Sequence, residues 1–398
     1  MNVLFLTMNP FTGIDMHNIY SDLMCEFIRH GHRPYIVTPR EMKTGEKTEL
    51  LEYEDYGILK VQIGNTSGCS LVEKGISTVT LSGLYYQAVK KYLGKHTFGL
   101  MLYSTPPITL AKPVKKLKKL FGCPTYLMLK DIFPQNAVDL GMFSAGGLIC
   151  RYFARKERML YRQSDRIGCM SQSNVQYLKK YHPQIPARKI EICPNGIIPS
   201  RLLDRTEAKK ALRQRYEIPE NAVVYLYGGN LGKPQAIDHL VACLKENKNH
   251  SDRYFIICGS GSEFLLLEQF MEEEKPDNVQ LIRFLPKVEY DALVRGCDVG
   301  LIFLDKRFTI PNYPSRILSY MEYAMPVIAC TDKNTDIGTD AVENGYGLCC
   351  ESADPADFTA CVDEMNHTNR ADMGAAARAY LEKHFTAEKC YQVIMECD

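Results

Sequence analysis

A chain of 398 residues passes the ~250–300 residues at which a single core stops growing, so two domains are expected. Apolar residues make up 45% and charged residues 24%, the balance of a soluble globular protein, and a net charge of +1 argues against a polyanion held by the whole surface. Fifteen cysteines are scattered through apolar runs such as FIICGSG and MPVIACT, without C-x-x-C spacing for zinc, and the adjacent Cys349 and Cys350 suit neither a metal nor an easy disulfide; a reducing cytoplasm is the expected location.

The opening NVLFLTM predicts a buried strand with no basic leader before it, so no signal peptide is expected. A helix is expected in MHNIYSDLMCEFIRHGH, with Ile19, Leu23 and Phe27 on one face and Gly31 as its C-cap. RPYIVTP is the next strand, and LLEYEDYGILKVQIG reads as an acidic loop followed by a strand. Helix, strand and helix follow in TVTLSGLYYQAVKKYLG, FGLMLYSTPP and PVKKLKKLFG, then a strand and loop in PTYLMLKDIFP. GGLICRYFARKERMLYRQS, DRIGCMS, QSNVQYLKKYHP and KIEICPNGI continue the alternation. It restarts at AVVYLYGGN, after a turn-rich and charged stretch, and runs to terminal helices. Strands alternating with helices specify a parallel, doubly wound α/β sheet. The expectation is two tandem Rossmann-like domains facing a central cleft: 1–198, 199–375, and a final helix over 376–398 that crosses back to the first domain. No run of ~18 apolar residues marks a membrane span.

Three stretches carry chemistry. In YLYGGNLGKPQ a strand runs into Gly228, Gly229 and Asn230, with Lys233 close behind. Glycines admit a ligand to backbone N–H groups, so this is either a phosphate loop or an ordinary strand-to-helix turn. CGSGSE, containing Gly259, is a second glycine turn, and by itself a weak signal. In YPSRILSYMEYAMPVIA, Pro314 and Ser315 suit a helix start, yet Arg316 places a cation at the positive end of the dipole. Arg316 is either simply solvated there or faces an anion such as a diphosphate.

These stretches, with FIICGSGSE, VQLIRFLP, GCDVGLIFL, KDIFPQNAVDLGM and KIEICPNGI, occur in the order found in retaining family 4 glycosyltransferases of the GT-B fold. The chain most resembles the branch that builds bacterial capsule, O-antigen and exopolysaccharide. The resemblance implies a UDP-sugar donor in the second domain, its diphosphate between Gly228-Gly229-Asn230 and the helix opening at Pro314-Ser315-Arg316, and its base on the backbone at Phe284-Leu285. It implies an acceptor in the first domain, near Gly13 and His17, with a lipid-linked oligosaccharide as the usual acceptor. Asp131, after Lys130 in LMLKDIFPQ, would stabilise oxocarbenium charge or orient the acceptor hydroxyl, unless it is only a turn Asp before Pro134. Lys130 stands where many members carry a histidine.

The chain departs from the family pattern at several positions. The usual pair of glutamates is replaced by Pro311 and Ser319, so the ribose falls to Ser319 or to Glu322 one turn on. Asn230 and Gln235 replace a basic pair, which shifts charge compensation to Arg316 and Lys233. With D-x-D absent, no metal or cofactor is expected. The loop from Leu304 to Tyr313 is the expected seat of sugar selectivity, with Asp305 or Lys306 as contacts. The basic helices at 112–122 and 151–163 either are solvated or rest on an anionic inner leaflet. No nucleic-acid partner is expected, since no aromatic ladder accompanies the charge. A non-catalytic partner subunit and a UDP-sugar 2-epimerase are the competing readings.

Overall fold

Short apolar strands and amphipathic helices alternate along the chain, and the computed structural model, which describes residues 1–66 and 68–396, separates them into two units. The first is Met1–Ile198 with Thr386–Asp398; the second is Pro199–Phe385.

The first unit contains β1 (Asn2–Leu6), α1 (Ile19–Arg29), β2 (Arg33–Glu41), β3 (Glu49–Glu52), β4 (Gly57–Ile63), α2 (Leu71–Leu93), β5 (Leu100–Ser104), α3 (Ala111–Phe121), β6 (Thr125–Leu129), α4 (Gln135–Asp139), α5 (Leu148–Gln163), β7 (Arg166–Cys169), α6 (Gln172–Tyr181) and β8 (Ile190–Ile192). Its sheet runs β3-β4-β2-β1-β5-β6-β7-β8, parallel except for β3. The central strands are buried on both faces, which explains their unbroken apolar runs. Asn18 caps α1 by accepting from the Tyr20 and Ser21 backbone N–H groups, and Gly31, at φ 73°, ends it as expected. The helix thus begins at Ile19, leaving His17 outside it.

The stretch read as an acidic loop contains β3, which pairs antiparallel with β4 through Leu50↔Leu59 and Leu51↔Ile58. Its flanking glutamates hide the strand from a hydrophobic pattern, and Arg40 holds Glu49 at 2.7 Å.

The second unit contains α7 (Thr206–Tyr216), β9 (Val223–Asn230), α8 (Ile237–Glu246), β10 (Arg253–Ser260), α9 (Phe264–Glu274), β11 (Val279–Ile282), α10 (Lys287–Gly296), β12 (Val299–Phe303), α11 (Arg316–Glu322), β13 (Val327–Thr331), α12 (Ile337–Glu343), β14 (Gly347–Glu351), α13 (Pro355–His367) and α14 (Arg370–His384). Its six strands are ordered β11-β10-β9-β12-β13-β14, all parallel. The chain winds outward from β9 in one direction and from β12 in the other. The two strands therefore flank a topological switch point, where open α/β sheets bind ligands off their carboxyl ends.

The return to the first unit begins at Thr386, ten residues later than position 376. Residues 376–384 continue α14, whose Gly374, Ala377 and Leu381 are buried in the second unit. Arg378 fastens this helix there, donating to the Glu322 carbonyl at 2.7 Å and to the Ser200 carbonyl at 2.8 Å. The last helix, α15 (Ala387–Met395), then packs on α1 with Tyr391 edge-on to Phe27 at 5.0 Å; residues 397–398 of the expected helix lie outside the described residues.

Candidate active site

The carboxyl ends of β9, β10 and β11 bring three of the singled-out stretches side by side. Gly229 and Asn230 are in register with Gly259 and Ser260, and Phe284 follows the adjoining β11. A Cβ on Gly259 would collide with the Gly229 carbonyl, and one on Gly228 with the Tyr290 hydroxyl. Gly229 has φ 127°, a conformation open to glycine and strained for any other residue. These glycines are thus required by close packing and backbone shape, and they leave Gly229 and Asn230 exposed at the strand end.

Arg316 reaches this edge from the start of α11. Its guanidinium carbon is 3.5 Å from the place a Cβ on Gly229 would occupy and 4.4 Å from the centre of the Tyr227 ring. Tyr290 and Tyr320 complete an aromatic enclosure. Tyr320 Oη accepts from the Gly228 N–H at 3.0 Å and donates to the Leu301 carbonyl at 3.3 Å; Tyr227 Oη donates to the Asn230 carbonyl at 2.7 Å. The phenols thereby fix the glycine loop and the walls around the cation. Burial pushes the Tyr290 hydroxyl far above its ordinary pKa, so it stays neutral. No carboxylate pairs with Arg316 among the described residues, and its Nη1 is buried without a hydrogen-bond partner. An enclosed cation whose neighbours are phenols and not a carboxylate, with one nitrogen left unpartnered, is costly, and an anion at this edge removes the penalty.

The other expected donor residues divide. Lys233 opens a short 3-10 turn beside the loop and is exposed. Asn230 donates to Gln235 Oε1 at 2.8 Å, so these two departures from the basic pair satisfy each other. Ser315 precedes α11 without a side-chain cap bond, and Pro314 is half-buried. Ser319 Oγ donates to the Arg316 carbonyl at 2.8 Å. Glu322 does not join the group: its carboxylate accepts from the Ser200 N–H at 2.9 Å, because residues on the far side of α11 face the start of this unit. Phe284 is 76% exposed on a rim with Val288, and Leu285 is half-buried. Asp305 is held by Arg307 in an ion pair of 2.6 Å, while Lys306 is exposed.

In the first unit, Lys130 and Asp131 follow β6. Both backbone N–H groups point to Thr105 Oγ1, at 3.0 and 3.4 Å. Burial raises the Asp131 carboxyl to about 6, and its charge is felt at the Tyr20 hydroxyl. Burial also lowers the Lys130 ammonium, which faces a small pocket lined by Cys193 and Cys390. No ion pair joins Lys130 to Asp131 among the described residues. Gly13 is buried before a 3-10 turn; His17 is exposed in the left-handed region, at φ 47°, and not on a helix as its sequence context suggests. The structure therefore gathers Gly228, Gly229, Asn230, Gly259 and Arg316 in one site and Lys130 with Asp131 in another.

The three tyrosines are the residues that sequence reasoning missed. Each sits in an apolar pattern where an aromatic reads as core. The signal available was Tyr227 directly before the glycine pair.

Residues 208–380 match the family model described as glycosyl transferases group 1, a span lying within the second unit. A probable glycosyltransferase of Pseudomonas aeruginosa, WbjE, is 22% identical over 322 residues, covering 79% of this chain and 78% of the relative. WcaI of Escherichia coli K12, named as a putative colanic acid biosynthesis glycosyl transferase, is 23% identical over 239 residues, or 58% of this chain and 57% of that protein. Among solved structures, a sucrose-phosphate synthase of Thermosynechococcus elongatus superposes with a TM-score of 0.77 at 13% identity, covering 99% of this chain and 97% of that one. Anabaena HepE in complex with UDP and glucose gives 0.70 at 14%, covering 99% and 98%. The fold is the two-domain α/β GT-B fold, and the sequence matches support the group 1 glycosyltransferase family.

Proposed function

We propose that this chain is a group 1 glycosyltransferase that moves a sugar from a UDP-sugar to an acceptor hydroxyl in the assembly of a bacterial surface polysaccharide. The observation that carries the reading is Arg316, a buried guanidinium with an unpartnered Nη1 beside the open backbone of Gly229. The glycine loop and this cation form a cradle for a diphosphate at the switch point. The relative named for colanic acid biosynthesis and the UDP complex of HepE support the substrate classes.

In the proposed reaction the bond from the anomeric carbon to the diphosphate oxygen breaks, and the electron pair leaves with UDP. The acceptor oxygen bonds to the same face, with retention, and its proton passes to the leaving phosphate. Arg316, with Lys233 and backbone N–H dipoles, stabilises the negative charge that grows on the leaving group. Asp131, when ionised, stabilises the positive charge on the sugar or orients the acceptor. The diphosphate is neutralised by these cations without a divalent ion. A lipid-linked acceptor at an anionic inner leaflet suits the basic helices α3 and α5; no helix among the described residues is long and apolar enough to cross a membrane.

The test is a thermal-shift and turnover panel of nucleotide-sugars in the presence of a chelator. UDP and one UDP-sugar should raise Tm, and slow hydrolysis of that sugar should follow. Binding of no nucleotide at all would overturn the reading. A non-catalytic subunit is the second reading, favoured by the commitment of Ser319 and Glu322 to backbone groups. It predicts no turnover with any donor or acceptor, even where a nucleotide binds.

A further inference from the structure

A second concentration of unpaired positive charge lies in the first unit, where α2, α3 and α5 meet. A pocket of about 210 Å³, open to solvent, is lined by Ser82, Thr109, Lys112, Lys116, Tyr152 and Lys156 among others. The helical repeat places Lys112 and Lys116 one turn apart on α3, and Lys156 one turn after Tyr152 on α5. Lys156 is only 7% exposed, and its ammonium lies 5.2 Å from the centre of the Tyr152 ring. Lys116 is similarly placed over Tyr86, at 4.9 Å. Among the described residues none of the three lysines has a carboxylate partner. The adjacent Glu157 is turned elsewhere, accepting from Tyr161 Oη at 3.1 Å with His182 at 3.8 Å.

Like charges crowd at this face, where Lys112 and Lys116 are exposed and Lys156 is buried. Lys112 sits against Lys156, and burial together with Lys112 lowers the Lys156 pKa. A separate observation points into the same pocket: Thr109 is 6% exposed, and its Oγ1 is buried without a hydrogen-bond partner. Three lysines and an unpartnered hydroxyl thus line one pocket. Such a donor set suits a dianionic oxyanion, since each lysine acts as a point charge and the hydroxyl adds a donor.

We propose that this pocket binds a phosphate group, as a phosphate monoester or diphosphate, at Lys112, Lys116, Lys156 and Thr109. The site does not depend on the sugar-transfer reading. The phosphate comes from a lipid headgroup or from a soluble phosphoester. The first turn of α5, which exposes Leu148 at 84% and Ile149 at 58%, supplies an apolar rim suited to the lipid.

The experiment is calorimetric titration of the full chain with inorganic pyrophosphate. Saturable binding is expected, weakened ~10-fold or more by Lys112→Glu and by Lys116→Glu. Lys119→Glu, an exposed charge on α3 outside the pocket, should leave it unchanged. Arg316→Ala removes the diphosphate cradle of the second unit, and in that background a saturable site should remain that still responds to Lys112→Glu. Lys156→Met should raise Tm without ligand, because it relieves the crowding, and in the Arg316→Ala background should abolish stabilisation by pyrophosphate. Flotation with phosphatidylcholine vesicles, with and without phosphatidic acid, separates the sources. Recruitment lost in Lys112→Glu identifies a headgroup, and pyrophosphate binding without recruitment identifies a soluble phosphoester. Absence of both, or pyrophosphate affinity that is lost only in Arg316→Ala, would overturn the proposal.

Discussion

Arg253 and Arg316 are both withdrawn from solvent in the second unit, at opposite ends of its sheet, and they are treated in opposite ways. Arg253 opens β10 at the amino end and is 4% exposed. Asp252 takes it at 2.9 and 3.0 Å, Asp363 at 2.7 Å and Asn247 at 2.7 Å. Arg316 follows β12 at the carboxyl end and has three tyrosines around it and no carboxylate. At the amino edge each guanidinium nitrogen of Arg253 faces an acceptor within the chain, which ties β10 to α13. At the carboxyl edge a donor is left over where the backbone is most open. The contrast separates a cation used for stability from one available to a ligand.

Two substitutions test that separation. Arg253→Met should break the contrast most visibly, because two carboxylates and a buried amide lose their partner. A loss of ~3–5 kcal/mol in unfolding free energy is expected, read by urea denaturation, with any change in nucleotide binding following stability alone. Arg316→Ala should do the reverse. Its unfolding free energy should stay within ~1 kcal/mol of the parent, since no pair is broken, while UDP affinity should fall ~30- to 100-fold, or ~2–2.7 kcal/mol by calorimetry. If Arg316→Ala proved the more destabilising and bound UDP normally, the cation would be structural and the contrast would vanish. A change at Gly259 is of intermediate size. Gly259→Ala forces a methyl into the Gly229 carbonyl and should displace the loop, costing ~1–3 kcal/mol of stability as well as nucleotide binding.

Much of this was legible in the sequence where a single local rule was at work. Apolar runs between turn residues marked the strands, and a cation at a helix start marked Arg316. What was not legible depends on residues distant in the chain. Tyr227, Tyr290 and Tyr320 lie on a strand and two helices, each in a core-like pattern, and only the fold turns them into one enclosure. Glu322 was a reasonable stand-in by helical spacing, but the Ser200 N–H that takes its carboxylate is 122 residues away in sequence. Lys156 read as one more charge in RYFARKER. Its spacing of four from Leu160 puts it on the buried stripe of α5, a signal that composition conceals. The antiparallel β3 was lost because its glutamates read as loop.

The smallest expected effect sharpens the comparison from the first unit, where Asp131 is a half-buried acid with no ion-pair partner among the described residues. Its carboxyl is raised to about 6 by burial, so the folded state holds a proton that the unfolded chain releases near the ordinary carboxylate value. The stability it contributes is full below the unfolded pKa and is lost as pH rises through the folded one. At pH 7.5 the parent should therefore be less stable than Asp131→Asn, by ~1–2 kcal/mol after allowance for partial exposure, and the two should converge near pH 4. Turnover should run the other way. Only the ionised carboxylate can face a developing cation, so kcat/KM should decline as pH falls below about 6 and should be low and flat in Asp131→Asn. A variant that matched the parent in both profiles would reduce Asp131 to a turn residue before Pro134. One that gained stability above pH 6 while losing the acid limb would mark a carboxylate kept at a strand end for reasons other than folding, the anionic counterpart of Arg316.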